Sequence, residues 1–183
     1  MSLARLGALL AATAGLALLG ACSAVAPPRY AASVDNVMQL KRLPAGQWRM
    51  GTIAPPADYQ RRCRLAAPVD GPDGQSIPHY IERAFNDEFK LAGIYADGAT
   101  PLSGRLTKLA FDTFAGIGRG QWDIELTLRG ASGRELTVSQ HHEFGVSLDG
   151  VTACDQTARA LQPAVQDLIQ QAVAQPAFAQ LIR

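Results

Sequence analysis
Trp122-Asp123-Ile124-Glu125-Leu126-Thr127-Leu128-Arg129 alternates apolar and polar side chains without a slip. Successive side chains of a strand point to opposite faces, so this period of two predicts a strand with one covered and one wet face. Such half-buried strands belong to antiparallel sheets. Gly130 to Gly133 follows as a tight hairpin turn. Leu136, Val138, Gln140, His142, Phe144, Val146 and Leu148 then mark the covered face of the next strand, ended by Asp149-Gly150. Upstream, Leu102, Gly104 and Leu106 alternate, and Leu109 and Phe111 continue the pattern in shifted phase. An extra residue near Thr107-Lys108, a β-bulge, accounts for the shift. Gly116 to Gly120 joins this strand to the octet as a hairpin loop, which completes a three-strand meander.

Helical patterns flank the meander. Ser76 is a helix cap with Pro78 in the first turn. Ile77, Ile81, Ala84, Phe85, Phe89 and Ala92 share one face, and Gly93 is placed to end the helix. Glu82, Arg83, Asp87 and Lys90 mark its wet side. Thr152 is read as the cap of a long last helix with Ala153, Leu161, Ala164, Val165, Leu168, Ile169 and Val173 inward. Pro163 is expected to kink or divide it. Pro176 ends that helix, and 177–183 adds a last turn. Before the first helix, Tyr30 to Met38 and Gln47 to Ala54 are predicted strands. The second of these has Trp48, Met50 and Thr52 on one face and is ended by Pro55-Pro56. Asp58 to Gln75 is irregular, with a strong turn at Asp70 to Gly74. This order predicts an α+β two-layer sandwich: a mainly antiparallel sheet of four to five strands with two helices on one face.

The chemistry-bearing residues are sparse. Gly116-Ile117-Gly118-Arg119-Gly120 lacks a third glycine at Gln121 and a following helix, so it is not a nucleotide loop. His141 and His142 are adjacent in a strand and point to opposite faces, which prevents them from chelating one metal together. Glu143 continues the same alternation, and His79 stands alone on the first helix. No nucleophile signature of a hydrolase occurs in the chain. No catalytic residue, metal or cofactor is therefore assigned. An envelope enzyme or inhibitor would need His79, His141 or His142 beside a carboxylate in a cleft. The aromatic residues Trp48, Trp122, Phe85, Phe89, Phe111, Phe114 and Phe144 are read as core, with a lipid-binding groove as the other reading.

The N-terminus carries the compartment signal. One positive charge at Arg5 precedes the apolar run Leu6 to Leu19, and small residues follow. This is the layout of a secretory signal. Leu19-Gly20-Ala21-Cys22 resembles the lipobox of bacterial lipoproteins. The resemblance implies cleavage of 1–21 and acylation of Cys22 as the first mature residue. Pro27-Pro28 and neighbouring small residues make 22–29 a tether, and 30–183 is one expected periplasmic α+β domain. Ser23 stands where an Asp would imply retention at the inner membrane, which implies the outer membrane. The element order is similar to LptE-like lipopolysaccharide-assembly lipoproteins and to PqiC-type auxiliary lipoproteins of lipid-transporting ABC systems. This resemblance implies a non-catalytic accessory role in envelope transport, with a β-barrel or ABC-transport protein as partner. A stand-alone ligand- or lipid-binding lipoprotein is the alternative.

With Cys22 acylated, Cys63 and Cys154 remain. In an oxidising compartment the pair is a disulfide candidate, the other reading being two buried thiols. The expected mature chain carries 16 basic and 16 acidic residues and no basic run. That excludes the clustered Lys and Arg by which proteins hold nucleic acid.

Overall fold
A computed structural model describes residues 25–64 and 68–182. Cys22 and the residues before it lie outside the described residues. The elements are α1 (Val34–Leu40), β1 (Met50–Ala54), α2 (Ile77–Ala92), β2 (Leu102–Gly116), β3 (Arg119–Arg129), β4 (Glu135–Gly145) and α3 (Gly150–Ala174). Short 3-10 turns occupy Pro72–Gly74 and Phe178–Gln180. The sheet runs β1-β2-β3-β4, with β1 parallel to β2 and the other neighbours antiparallel. The fold is an α+β sandwich in which α2 and α3 cover one sheet face and α1 packs on those two helices.

The meander follows its sequence pattern. Trp122, Ile124, Leu126 and Leu128 are at most 1% exposed. The β2 register shifts between Leu106 and Lys108, where the apolar phase slips. Ser76 caps α2 by accepting from the His79 N–H, and Gly93 ends it at φ 74°. That left-handed conformation costs glycine nothing.

Four expectations are corrected. The predicted strand Tyr30 to Met38 is instead helix α1: the Ser33 hydroxyl accepts from the Asn36 N–H, and Asp35 lies in the positive first turn. These local caps outweigh the strand preference of Val34 and Val37. In β1 the covered face is Trp48, Met50 and Ile53, with Thr52 exposed, because the register shifts between Met50 and Ile53. Gly51 sits at that shift, where a Cβ would meet Pro101 Cβ at 2.9 Å. The α3 cap is Asp149, whose carboxylate accepts from the Thr152 N–H, so Thr152 lies inside the helix. Leu148 belongs to no strand and is 83% exposed, because β4 ends at Gly145. Pro163 lies within α3 without dividing it.

The chain is docked from Val25 on, within the stretch expected as a tether. Its N–H donates to the Pro68 carbonyl (3.0 Å) and its carbonyl accepts from the Asp70 N–H (3.1 Å). Pro27 is buried, and the Pro28 carbonyl accepts from the Tyr80 hydroxyl.

The core is continuous across both layers. Trp48 stacks on Phe178 with ring centroids 4.9 Å apart and planes 3° from parallel. Trp122 donates its indole N–H to the Thr157 carbonyl (2.8 Å), which ties β3 to α3. On α2, Asn86 offers its amide to the β1 edge: Met50 N–H donates to Asn86 Oδ1 (2.8 Å), and Asn86 Nδ2 donates to the Met50 carbonyl (3.0 Å). A side chain thus satisfies backbone groups that an edge strand would leave open.

Candidate functional site
Cys63 and Cys154 are joined by a disulfide with Cα atoms 5.8 Å apart. The bond links the irregular segment before α2 to the first turns of α3.

The arm from Val25 to Tyr30 lies along α2 and leads to a buried polar cluster. Glu88 is fully buried. Its Oε1 accepts from the Tyr30 hydroxyl (2.5 Å), the Asn36 Nδ2 (3.1 Å) and the Ser33 N–H (3.2 Å). Asn36 also donates to the Gln166 carbonyl of α3 (2.9 Å). One carboxylate therefore collects the arm, the α1 cap and both long helices. Its Oε2 has no partner among the described residues. Burial pushes the Glu88 carboxyl above the usual carboxylate range, against the three hydrogen bonds that pull it down. Burial, then the charge of Glu88, pushes the Tyr30 hydroxyl far above the ordinary phenol value. A cleft of about 230 Å³ opens beside this cluster, lined by Arg29, Tyr30, Tyr80, Arg83, Asp73 and Asp87. An ion pair of 3.3 Å joins Arg29 to Asp73 there.

The uncovered sheet face is a polar ladder. His141 Nδ1 lies 2.7 Å from Asp123 Oδ1, and Lys108 Nζ lies 3.2 Å from Asp123 Oδ2. Glu125 accepts from Thr107 and Ser139, and Thr127 bonds Thr137 directly. The hydrogen bond to Asp123 raises the His141 imidazole above its ordinary value. For Asp123, burial pushes the carboxyl up, but hydrogen bonds from His141 and Lys108 bring it lower on balance.

His142 points the other way, with Nδ1 3.0 Å from Asp167 Oδ2 on α3. The two adjacent histidines thus occupy opposite faces, as their alternation predicts. His79 Nδ1 lies 3.4 Å from Glu82 on the exposed side of α2. Each imidazole meets a carboxylate, and none of these contacts involves a hydroxyl or thiol. Among the described residues no group of three or more His, Cys, Asp or Glu could hold a metal ion.

The aromatic residues divide. Trp48, Trp122, Phe85 and Phe89 are fully buried, Phe111 and Phe144 are half-buried, and Phe114 is 68% exposed. Phe114 therefore leaves the core to which the sequence assigns it.

Sequence reasoning missed Glu88 as a site residue. It lies on the inward stripe, four residues from both Ala84 and Ala92. A carboxylate in that register is the signal of a buried polar cluster. Arg64 was also missed. Its guanidinium donates to the Thr113 hydroxyl (3.1 Å) and to the carbonyls of Thr113, Ser147 and Leu148. Its charge lies 4.2 Å from the centre of the Phe114 ring.

No protein-family model matches the sequence, and no curated protein matches it. A solved structure similar to the chain is a minor lipoprotein from Acinetobacter baumannii. It has 12% identity and a TM-score of 0.43, with 76% of this chain and 96% of that chain covered.

Proposed function
We propose that the chain is a bacterial envelope lipoprotein, anchored through acyl groups on Cys22 and acting as a non-catalytic accessory or assembly subunit in envelope transport. The observation that carries the anchor is the distribution of thiols. Cys63 and Cys154 are bonded to each other, which leaves Cys22 behind Leu19-Gly20-Ala21 as the remaining thiol. A disulfide also suits an oxidising compartment. Several acyl chains hold a protein firmly at about 0.8 kcal/mol per buried methylene, and the domain stays in water. Ser23 at the next position favours the outer membrane. The non-catalytic reading is supported by position: each imidazole lies beside a carboxylate, but no histidine lines the cleft of Arg29, Tyr30 and Tyr80. The polar ladder on the uncovered sheet face is the surface proposed to meet a partner protein. The partner proposed is a β-barrel or an ABC-transport subunit.

The test is affinity purification of the lipidated protein from mildly solubilised native membranes, with mass spectrometry of what accompanies it. A stoichiometric β-barrel or ABC-transport subunit supports the accessory role. Absence of any protein partner, with unchanged envelope permeability after deletion, overturns it. The cleft lined by Arg29, Arg83, Asp73 and Asp87 favours a second reading, a stand-alone binder of a small polar group. At about 230 Å³ it falls below the usual range of ligand pockets, roughly 300–1,000 Å³. Copurification of a small molecule without protein would favour that reading.

A further inference from the structure
Four exposed apolar side chains gather at one end of the sandwich. Phe114 and Ile117 lie at the β2–β3 hairpin and are 68% and 97% exposed. Leu148 and Val151 lie at the entry to α3 and are 83% and 71% exposed. Arg64 binds the two groups together: it bonds Thr113 on one side and the Ser147 and Leu148 carbonyls on the other, and covers the Phe114 ring. The Val146 N–H donates to the Gly118 carbonyl (3.0 Å) and closes the same junction. The four side chains thus flank one junction rather than lying scattered over the surface.

The chain enters the domain at this end. Val25 pairs with Val69, and the Val69 N–H donates to the Arg61 carbonyl (2.8 Å). Arg64 is three residues beyond Arg61. The first turns of α2 and α3 are here too, the latter through the disulfide of Cys154 to Cys63. The opposite end carries Leu91 in the last turn of α2 and the β3–β4 turn against Leu181.

We propose that the cluster of Phe114, Ile117, Leu148 and Val151 seats on the surface of the lipid bilayer that holds Cys22. This inference rests on the lipoprotein reading above. Three Cα–Cα steps, through Ser23 and Ala24, separate Cys22 from the docked Val25. At about 3.5 Å per residue they span roughly 10 Å. So short a leash brings this end of the domain, and not the Leu91 end, against the headgroups. Aromatic and aliphatic side chains at a loop tip enter the headgroup boundary, while arginine keeps its charge at the polar level. Two acidic groups at this end are held by backbone N–H groups: Asp112 accepts from the Phe114 N–H, and Asp149 from the Thr152 N–H at the α3 cap. Arg62 and Arg119 are exposed on the neighbouring segments and supply cations for lipid phosphates.

The experiment uses the full lipidated chain in vesicles of phosphatidylethanolamine and phosphatidylglycerol, with and without bromine on the acyl chains. Ile117→Trp adds a fluorophore at the cluster, and Leu91→Trp adds one at the opposite end. The native Trp48 and Trp122 are fully buried and give a constant background. The expected result is loss of the added emission of I117W on brominated vesicles, with that of L91W unchanged. Leu148→Trp repeats the reading at a second exposed position. Equal quenching at both ends, or none at either, overturns the proposal. The mass of the N-terminal peptide and flotation with vesicles report the anchor separately. An acylated chain that floats without quenching of I117W refutes the seating alone, whereas an unacylated chain refutes the anchor and the seating with it.

Discussion

The Tyr30 hydroxyl donates to Glu88 Oε1 across 2.5 Å, and this bond fastens the N-terminal arm to α2. Burial raises the Glu88 carboxyl, so folding favours its protonated form. The stabilisation is full below the ordinary glutamate value and is lost as pH rises through the raised native value. Glu88→Gln keeps the acceptor for Tyr30, Asn36 and Ser33 and removes the charge. It is expected to hold stability level through the window in which the native protein declines. Glu88→Leu leaves three donors unpaired and is expected to cost about 2–3 kcal/mol. Urea denaturation of both variants from pH 4 to pH 8 checks this, and a Glu88→Gln curve parallel to the native one would refute it.

The Cys63–Cys154 bond closes a loop of 91 residues. Such a cross-link restricts the unfolded chain, and its removal typically costs about 2–4 kcal/mol. The double variant Cys63→Ser, Cys154→Ser is expected to unfold at correspondingly lower denaturant. Reduction by dithiothreitol is expected to match it, measured by circular dichroism. Equal midpoints for native and double-variant protein would show that the bond does not constrain the unfolded chain.

His141 faces Asp123 on the open sheet face, and the hydrogen bond raises its imidazole value. Its stabilising charge is present below the ordinary histidine value and is lost as pH rises through the raised native value. Asp123 is shifted down, so its contribution is present above the ordinary aspartate value and fades as pH falls through the native one. Proton NMR titration should place the His141 midpoint above the ordinary histidine value. Asp123→Asn should return it toward the ordinary value. A His141 midpoint indifferent to this substitution would contradict the pairing.

β3, β4, α2 and α3 were legible because their apolar periods repeat over many residues, and β2 because a single bulge restores its phase after Leu106. Trp122 to Arg129 and the phase slip at Thr107-Lys108 both appear in the register as the sequence predicts. Helix α1 was not legible: it has 7 residues, and Asn36 is buried only because Glu88 and the Gln166 carbonyl receive its amide. No local window contains those partners, which lie 52 and 130 residues away. Arg64 was hidden for the same reason, since its acceptors come from β2 and the β4–α3 connection. At the site level, the sequence paired Cys63 with Cys154 and separated His141 from His142. It could not show Phe114 outside the core, because the second register shift, between Asp112 and Gly116, turns that part of β2.

The last segment of the chain is tested at Gly130. A Cβ on Gly130 would lie 1.8 Å from the Leu181 carbonyl oxygen, an approach no side chain can make. The Gly130 backbone is held in the β3–β4 turn by the Arg134 carbonyl (2.9 Å), so the C-terminal segment must yield. Displacing it moves Phe178 from its stack on Trp48. Gly130→Ala is therefore expected to cost about 1–3 kcal/mol, the usual range for overpacking. It should also shift the emission of Trp48 to longer wavelength as water reaches the indole. Phe178→Ala removes the stacked ring and should give the same spectral shift without touching the turn. Unchanged emission in Gly130→Ala would mean that the turn, not the C-terminal segment, absorbs the clash.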